Sequence, residues 1–235
     1  MITLSYFHAR GRGQFIRAFL LVRGIDFVDE RIRLDNFENW YAIRDDRSRT
    51  GPLKKLPVLE HKGRLIPETL VIAAYLHREL GDRELFDDEL NLRHDVLAST
   101  CYVDLMMPLG TLIWASLLFG APDITTPAKN TLERFKRTLA ALDTTLTEWR
   151  WADTMAERPV TVADCLLWEE LDQAATVFGP HLSFAEFPAL ANFRDRHPAR
   201  ETFQTLLAEN PCQLTGRPGE AEEIARIRAA IAAED

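Results

Sequence analysis

The chain has 235 residues, 46% hydrophobic and 27% charged, enough to bury one large core or two modest ones. A formal net charge of -8 disfavours nucleic acid and anionic membrane as bulk partners, although a local basic pocket can still hold a small anion. Cys101, Cys165 and Cys212 are far apart, odd in number and form no C-x-x-C, which argues against a disulfide framework or a dithiol redox site.

Ile2 to Phe7 predicts a strand, and Met1 leads into it without a basic segment or cleavage pattern, so no signal peptide is expected. No later run reads as apolar for long enough to span a bilayer, and a reducing cytoplasm is the expected location. Gln14 to Val22 places Phe15, Ile16, Phe19, Leu20 and Leu21 at helical spacing, closed by Gly24, and Phe27 to Ile32 predicts a second strand. A crossover helix between two short strands implies a parallel pair. Leu56-Glu60 and Arg64-Ile66 flank His61-Lys62-Gly63 as a hairpin, and Leu70, Ala73, Ala74 and Leu76 continue as a helix to Leu80. The order over the first third is therefore βαβ, then ββα.

Gly81 to Asp88 is charged and turn-rich, and from Asn91 onward the patterns are helical. Val96 to Phe119 and Thr131 to Trp151 are long apolar-periodic segments. Thr161-Val162-Ala163-Asp164 reads as a capping box, with Val160 and Cys165 placed for a hydrophobic staple. Phe187-Pro188 and His197-Pro198 put prolines in the first turns of two further helices. Gly216 to Gly219 breaks the chain before a final helix over Glu220 to Ile231. The expected organisation is α+β followed by all-α: a mixed domain over 1–81, a linker over 82–90 and an all-helical domain over 91–235.

The stretch from Leu4 to Arg17 puts the Tyr6 phenol at the end of a strand and arginines where a helix begins, an arrangement suited to an anion such as a phosphate or a thiolate. Pro57, opening a strand after a loop, serves either as an edge residue or as a cis-proline. The six histidines show no H-E-x-x-H or comparable cluster, and no metal is expected.

Taken together, Y-F-H-A-R-G-R-G-Q-F-I-R, K-K-L-P-V-L-E, P-E-T-L-V-I-A-A-Y-L and V-T-V-A-D resemble the cytosolic glutathione S-transferases, and the opening motif is most similar to the tyrosine-type classes, sigma in particular. The resemblance implies a thioredoxin-like first domain, a helical second domain and a dimer. It implies glutathione as substrate, beside a small hydrophobic electrophile. Tyr6 then corresponds to the tyrosine that donates a hydrogen bond to the glutathione sulfur, and Arg12 to the second arginine of R-G-R beside that sulfur. With reference pKa values of about 10 for tyrosine and about 8.5 for a thiol, a neutral phenol is the expected partner of a bound thiolate. Arg10 is expected to be a surface charge.

Further positions follow from the same resemblance. Leu56, before Pro57, matches the residue whose backbone pairs with the cysteinyl part of glutathione. Glu68 and Thr69 match the pair that receives the γ-glutamyl end, Thr69 also serving as a cap and Glu68 favouring the ammonium. Trp40, Arg44 and Lys55 align with the glycyl end, where a carboxylate needs cations; a solvated loop is the other reading of Arg44. Asp104 aligns with an acid that reaches the γ-glutamyl amine from the neighbouring subunit. Phe7, Ala9, Gly110 and Trp114 fall on the second-substrate pocket, with a core role equally open to Trp114. Thr161 and Asp164 match a structural capping motif. Two other readings remain: a non-catalytic member of the fold that binds glutathione or a protein, and an omega-type thiol oxidoreductase. The absence of cysteine from residues 1–81 counts against the second.

Overall fold

The structure, a computed structural model, describes residues 1–33, 37–82, 87–209, 214–215 and 219–233. Residues 83–86 of the expected linker, Cys212 and the expected break at Gly216 lie outside them. Strand β1 (Ile2–Phe7) lies inside a four-stranded sheet of order β2-β1-β3-β4. It pairs in parallel with β2 (Phe27–Ile32) through the crossover helix α1 (Gln14–Val22), and antiparallel with β3 (Val58–His61), which pairs with β4 (Arg64–Pro67). Lys62 and Gly63, at φ 53° and 73°, close the hairpin in the left-handed conformation that two-residue turns require. The βαβ and ββα order read from the sequence is the order observed.

Two short helices, α2 (Phe37–Asp45) and α3 (Arg47–Thr50), stand between β2 and β3 where the sequence predicts no element. Their polar composition hides them from a periodicity argument. What holds α2 is tertiary: Trp40 and Ile43 pack on a small apolar cluster of Tyr6, Ile32, Leu56 and Val58. Helix α4 (Thr69–Leu80) follows β4.

The rest is helical. α5 (Asp88–Thr100) starts earlier than the apolar pattern suggests, because the Asp87 carboxylate accepts the Leu90 N–H at 2.7 Å as an N-cap. It runs through a π-helical turn, Cys101–Met106, into α6 (Met107–Phe119). Asp88–Ser116 is therefore one continuous run, long and apolar enough by length and composition to cross a membrane, which corrects the expectation that no stretch is. Here its apolar side faces protein: Leu97, Cys101, Leu105, Leu109 and Leu112 are all buried. α7 (Thr125–Glu148), α8 (Val162–Phe178), α9 (Pro188–Arg196), α10 (Arg200–Glu209) and α11 (Glu220–Ala232) complete the chain.

α8 is buried nearly all round, as expected of a helix at the centre of a bundle. Leu166, Leu167 and Leu171 of α8 and Phe15, Ile16 and Phe19 of α1 are 0% exposed and belong to one continuous core joining the sheet to the helices. The capping box at its start is present and extended. The Asp164 carboxylate accepts the Thr161 N–H at 2.8 Å, the Trp151 indole N–H at 2.8 Å and the Arg158 guanidinium at 2.7 Å. Burial opposes ionisation of Asp164, but the Arg158 charge and these donors outweigh it and hold the carboxyl well below the usual range. Next to Glu169 on α8, both carboxyl oxygens of buried Glu170 have no hydrogen-bond partner among the described residues. Burial and the neighbouring Glu169 charge push its carboxyl well above the ordinary value.

Two consequences for stability follow. Asp164→Ala strands a buried guanidinium and an indole N–H, and is expected to cost about 3 kcal/mol or more, read as a lower urea midpoint with unchanged slope. Glu170→Gln removes a carboxyl that burial makes bind its proton more tightly in the folded state than in the unfolded one. That proton difference disfavours folding at neutral pH and vanishes below the unfolded carboxyl value of about 4.3. The variant is therefore expected to melt higher than wild type at pH 7, with the difference shrinking as the pH falls through that value.

Candidate functional site

Between β1 and α1 the chain folds back over the Tyr6 ring. A Cβ at Gly13 would lie 2.3 Å from Tyr6 Cδ1, and one at Gly11, at φ +35°, would lie 2.6 Å from the Tyr6 hydroxyl, so this close approach requires both glycines. Arginines pin the loop from both sides. Arg17, fully buried on α1, donates to the carbonyls of Ala9 at 2.8 Å and Phe7 at 3.1 Å and pairs with Asp29 at 3.0 Å. Arg10 pairs with Glu169 and Asp172 of α8, each at 2.8 Å. At 5% exposure Arg10 is not the surface charge that the sequence suggested; it ties the loop to the helical part.

Arg12 differs from both. Its guanidinium contacts the Met107 thioether at 3.2 Å and lies 5.8 Å from the Tyr102 ring centre, with no carboxylate partner among the described residues. Its backbone N–H donates to the Tyr6 hydroxyl at 3.0 Å. A hydroxyl has one proton to give and two lone pairs, so this contact uses acceptor capacity and leaves the Tyr6 proton available. Burial raises the Tyr6 pKa above its usual value, partly offset by the Arg12 N–H and the charges of Arg12 and Arg17. The phenol therefore stays protonated at neutral pH.

Tyr6, Gly11 and Arg12 form one end of a cleft of about 280 Å³. Met106, Met107, Gly110 and Trp114 supply a wall from the π turn and α6, and Gln173 of α8, Leu214 and Thr215 complete it. From the end of the π turn and the start of α6, the adjacent Met106 and Met107 both reach the cleft. The Glu220 carboxylate anchors the last segment by accepting the Leu214 and Thr215 N–H groups, both at 2.7 Å. Tyr6, Arg12, Gly110 and Trp114, singled out in the sequence, thus meet around one space. Met106, Met107, Gln173, Leu214 and Thr215 were not singled out. Only the helical spacing of Met107, Gly110 and Trp114 could have pointed to any of them.

The other candidates sit around this cleft. The Leu56-Pro57 peptide is cis, and Leu56 lies outside the β1-β3 ladder, two residues before Val58. Lys55, largely exposed, stands 4.0 Å from Glu68, the residue before α4. Glu68 has φ 70° and ψ 124°, a conformation that costs a non-glycine residue of order 1 kcal/mol or more and clusters at ligand clamps. Thr69, at the first turn of α4, is 2% exposed. Trp40 packs edge-on against Phe7 at 5.0 Å. Phe7, at the end of β1, packs on Tyr6 and Trp40, and buried Ala9 gives its carbonyl to Arg17; neither lines the cleft. Arg44 pairs with Asp45 at 3.1 Å and covers the Tyr41 ring, and Asp104 pairs with Arg134 at 2.8 Å on the outer surface. Among the described residues no group of three or more His, Cys, Asp or Glu is placed to hold a metal ion.

Residues 2–78 match the family model for the glutathione S-transferase N-terminal domain. The chain is 38% identical over 78 residues to probable glutathione S-transferase 8 of Caenorhabditis elegans, a match covering 33% of this chain and 34% of that protein. It thus spans about a third of that relative's length. Against hematopoietic prostaglandin D synthase of Gallus gallus it is 27% identical over 210 residues, 88% of this chain and 96% of the relative. Among solved structures, the Pi-class glutathione S-transferase of Onchocerca volvulus superposes with a TM-score of 0.70 at 22% identity, covering 92% of this chain and 97% of that one, which shows a shared fold. Residues 2–78 thus match the glutathione S-transferase N-terminal domain, and the chain as a whole shares the fold of that solved structure.

Proposed function

We propose that the chain is a tyrosine-type, sigma-like glutathione transferase: residues 1–81 bind glutathione, and Tyr6 and Arg12 stabilise its thiolate. An electrophile or peroxide held by the cleft wall of residues 91–235 then takes up that nucleophile. One observation carries the proposal. The Tyr6 hydroxyl accepts the Arg12 N–H and keeps its own proton, at the end of a mostly apolar cleft and beside a guanidinium with no carboxylate partner among the described residues. A bound thiol placed there meets a neutral donor and a positive charge, both stronger for the anion than for the neutral sulfur. Lowering a thiol pKa by about two units needs roughly 2.7 kcal/mol of such preference, within reach of one charge-assisted hydrogen bond and a nearby cation.

The remaining candidates fit the rest of a tripeptide. Leu56, outside the ladder, suits a peptide backbone; Glu68 suits an ammonium, and the α4 N-terminus with Thr69 suits a carboxylate. Lys55, Trp40 and Arg44 then serve the glycyl end. For its own part, residues 1–81 carry 14 Lys and Arg against 10 Asp and Glu, so the electrostatics of this part favour an anionic ligand despite the net -8 of the whole. The proposed assembly is a cytoplasmic homodimer acting in detoxification, with the partner subunit's Asp104 reaching the γ-glutamyl amine.

Calorimetric titration with glutathione, followed by a screen of halogenated aromatics, activated alkenes, hydroperoxides and prostaglandin D synthesis, tests the reading. Binding without turnover on any acceptor would instead mark a non-catalytic binding protein. Tyr6→Phe is expected to bind glutathione within a fewfold of wild type, raise the pKa of the bound thiol and lower kcat/KM about tenfold or more. An unchanged thiol titration sinks the mechanism. Gly13→Ala, whose methyl drives into the ring, is expected to lose as much activity while Tyr6 is still present, in the same assay.

A further inference from the structure

We infer that Met107 is a site of reversible oxidation: a hydroperoxide entering the cleft converts its thioether to the sulfoxide, and the sulfoxide captures Arg12 and silences it. This rests on the role given to Arg12 above. Met107 opens α6 at the end of the π turn, 36% exposed, with its sulfur 3.2 Å from an Arg12 nitrogen. Of the other methionines, Met106 and Met155 are each 6% exposed, and Met1, at 95%, lies at the chain's start, away from the cleft. Met107 therefore combines access to solvent with contact to a charged group of the site.

A thioether is a weak acceptor, so Arg12 is held loosely and its charge stays available to a sulfur anion. Oxidation changes that. A sulfur lone pair attacks the outer oxygen of the hydroperoxide, the O–O bond breaks, and the departing oxygen takes a proton to leave as an alcohol or water. Sulfur is oxidised by two electrons and the peroxide reduced by two. The product carries a polar S=O whose oxygen accepts strongly from a guanidinium. It holds Arg12 against α6 and weakens its support of the thiolate. The helix itself need not change, since the Met107 carbonyl remains occupied by the Thr111 hydroxyl at 2.8 Å. A dithiol-dependent methionine sulfoxide reductase restores the thioether with release of water and a disulfide.

The test treats the full-length protein with hydrogen peroxide, removes the peroxide, maps sulfoxide by peptide mass spectrometry and titrates the thiol of bound glutathione. Met107 is expected to oxidise ahead of Met106 and Met155. The thiol pKa should rise and kcat/KM fall about fivefold, with both reversed by methionine sulfoxide reductase. In Met107→Leu, whatever its starting activity, the ratio of treated to untreated activity should be near one, and Met107→Gln should mimic the oxidised state. Sulfoxide at Met107 with unchanged titration overturns the inference, as does oxidation of the buried methionines first. Arg12→Leu in untreated protein separates the two readings: if it leaves the thiol pKa unchanged, the role of Arg12 itself fails and the inference with it, whereas a shift there without a Met107 effect removes the inference alone.

Discussion

The site depends on the hydrogen bond from the Arg12 backbone N–H to the Tyr6 hydroxyl. It turns a buried phenol into a donor with a free proton, and it exists only because the loop crosses the ring within contact distance. A side chain at Gly11 or Gly13 would occupy the space that the ring and hydroxyl fill. Two buried arginines hold that crossing in place. Arg17 satisfies the loop's carbonyls from within the sheet layer, and Arg10 reaches α8, so the loop is fixed by both halves of the molecule. Arg10 and Arg17 are neutralised by carboxylates, and among the described residues lining the cleft the positive charge is that of Arg12.

This division of labour explains a costly arrangement in the core. Glu169 and Glu170 sit side by side on a helix buried on nearly every face, and burial pushes both carboxyls above their ordinary value. Glu169 is offset by Arg10 and also accepts from Gln173, a residue of the cleft wall. Loop, α8 and cleft are thereby linked through one buried polar network, which specifies their relative position more than an apolar contact of the same size would. Around it the continuous core of α1 and α8 supplies the nonpolar adhesion.

The sheet and α1 were legible in the sequence because their signals are local. Strand-like runs at Ile2 and Phe27, the Lys62-Gly63 turn and the helical spacing from Phe15 each specify an element without reference to the rest of the chain. The capping box at Thr161 was equally local. α2 was not, since its stability comes from Trp40 and Ile43 meeting a cluster formed by other elements. The π turn left no periodic signature either, and Arg10 was misjudged because charge alone does not reveal a buried carboxylate 159 residues away.

By itself the sequence determined the order of the elements, the glycines that let the chain cross Tyr6, and the residue types at the reacting end of the cleft. Tertiary structure decided which of three nearby arginines has no carboxylate partner among the described residues, that Met106 and Met107 share one wall, and that Leu214 and Thr215 close it. Propensities and caps act over a few residues and can be read in place. Pairing of charges and closure of a cleft depend on distances between segments far apart in the chain, and those distances are set only when the shared core has formed.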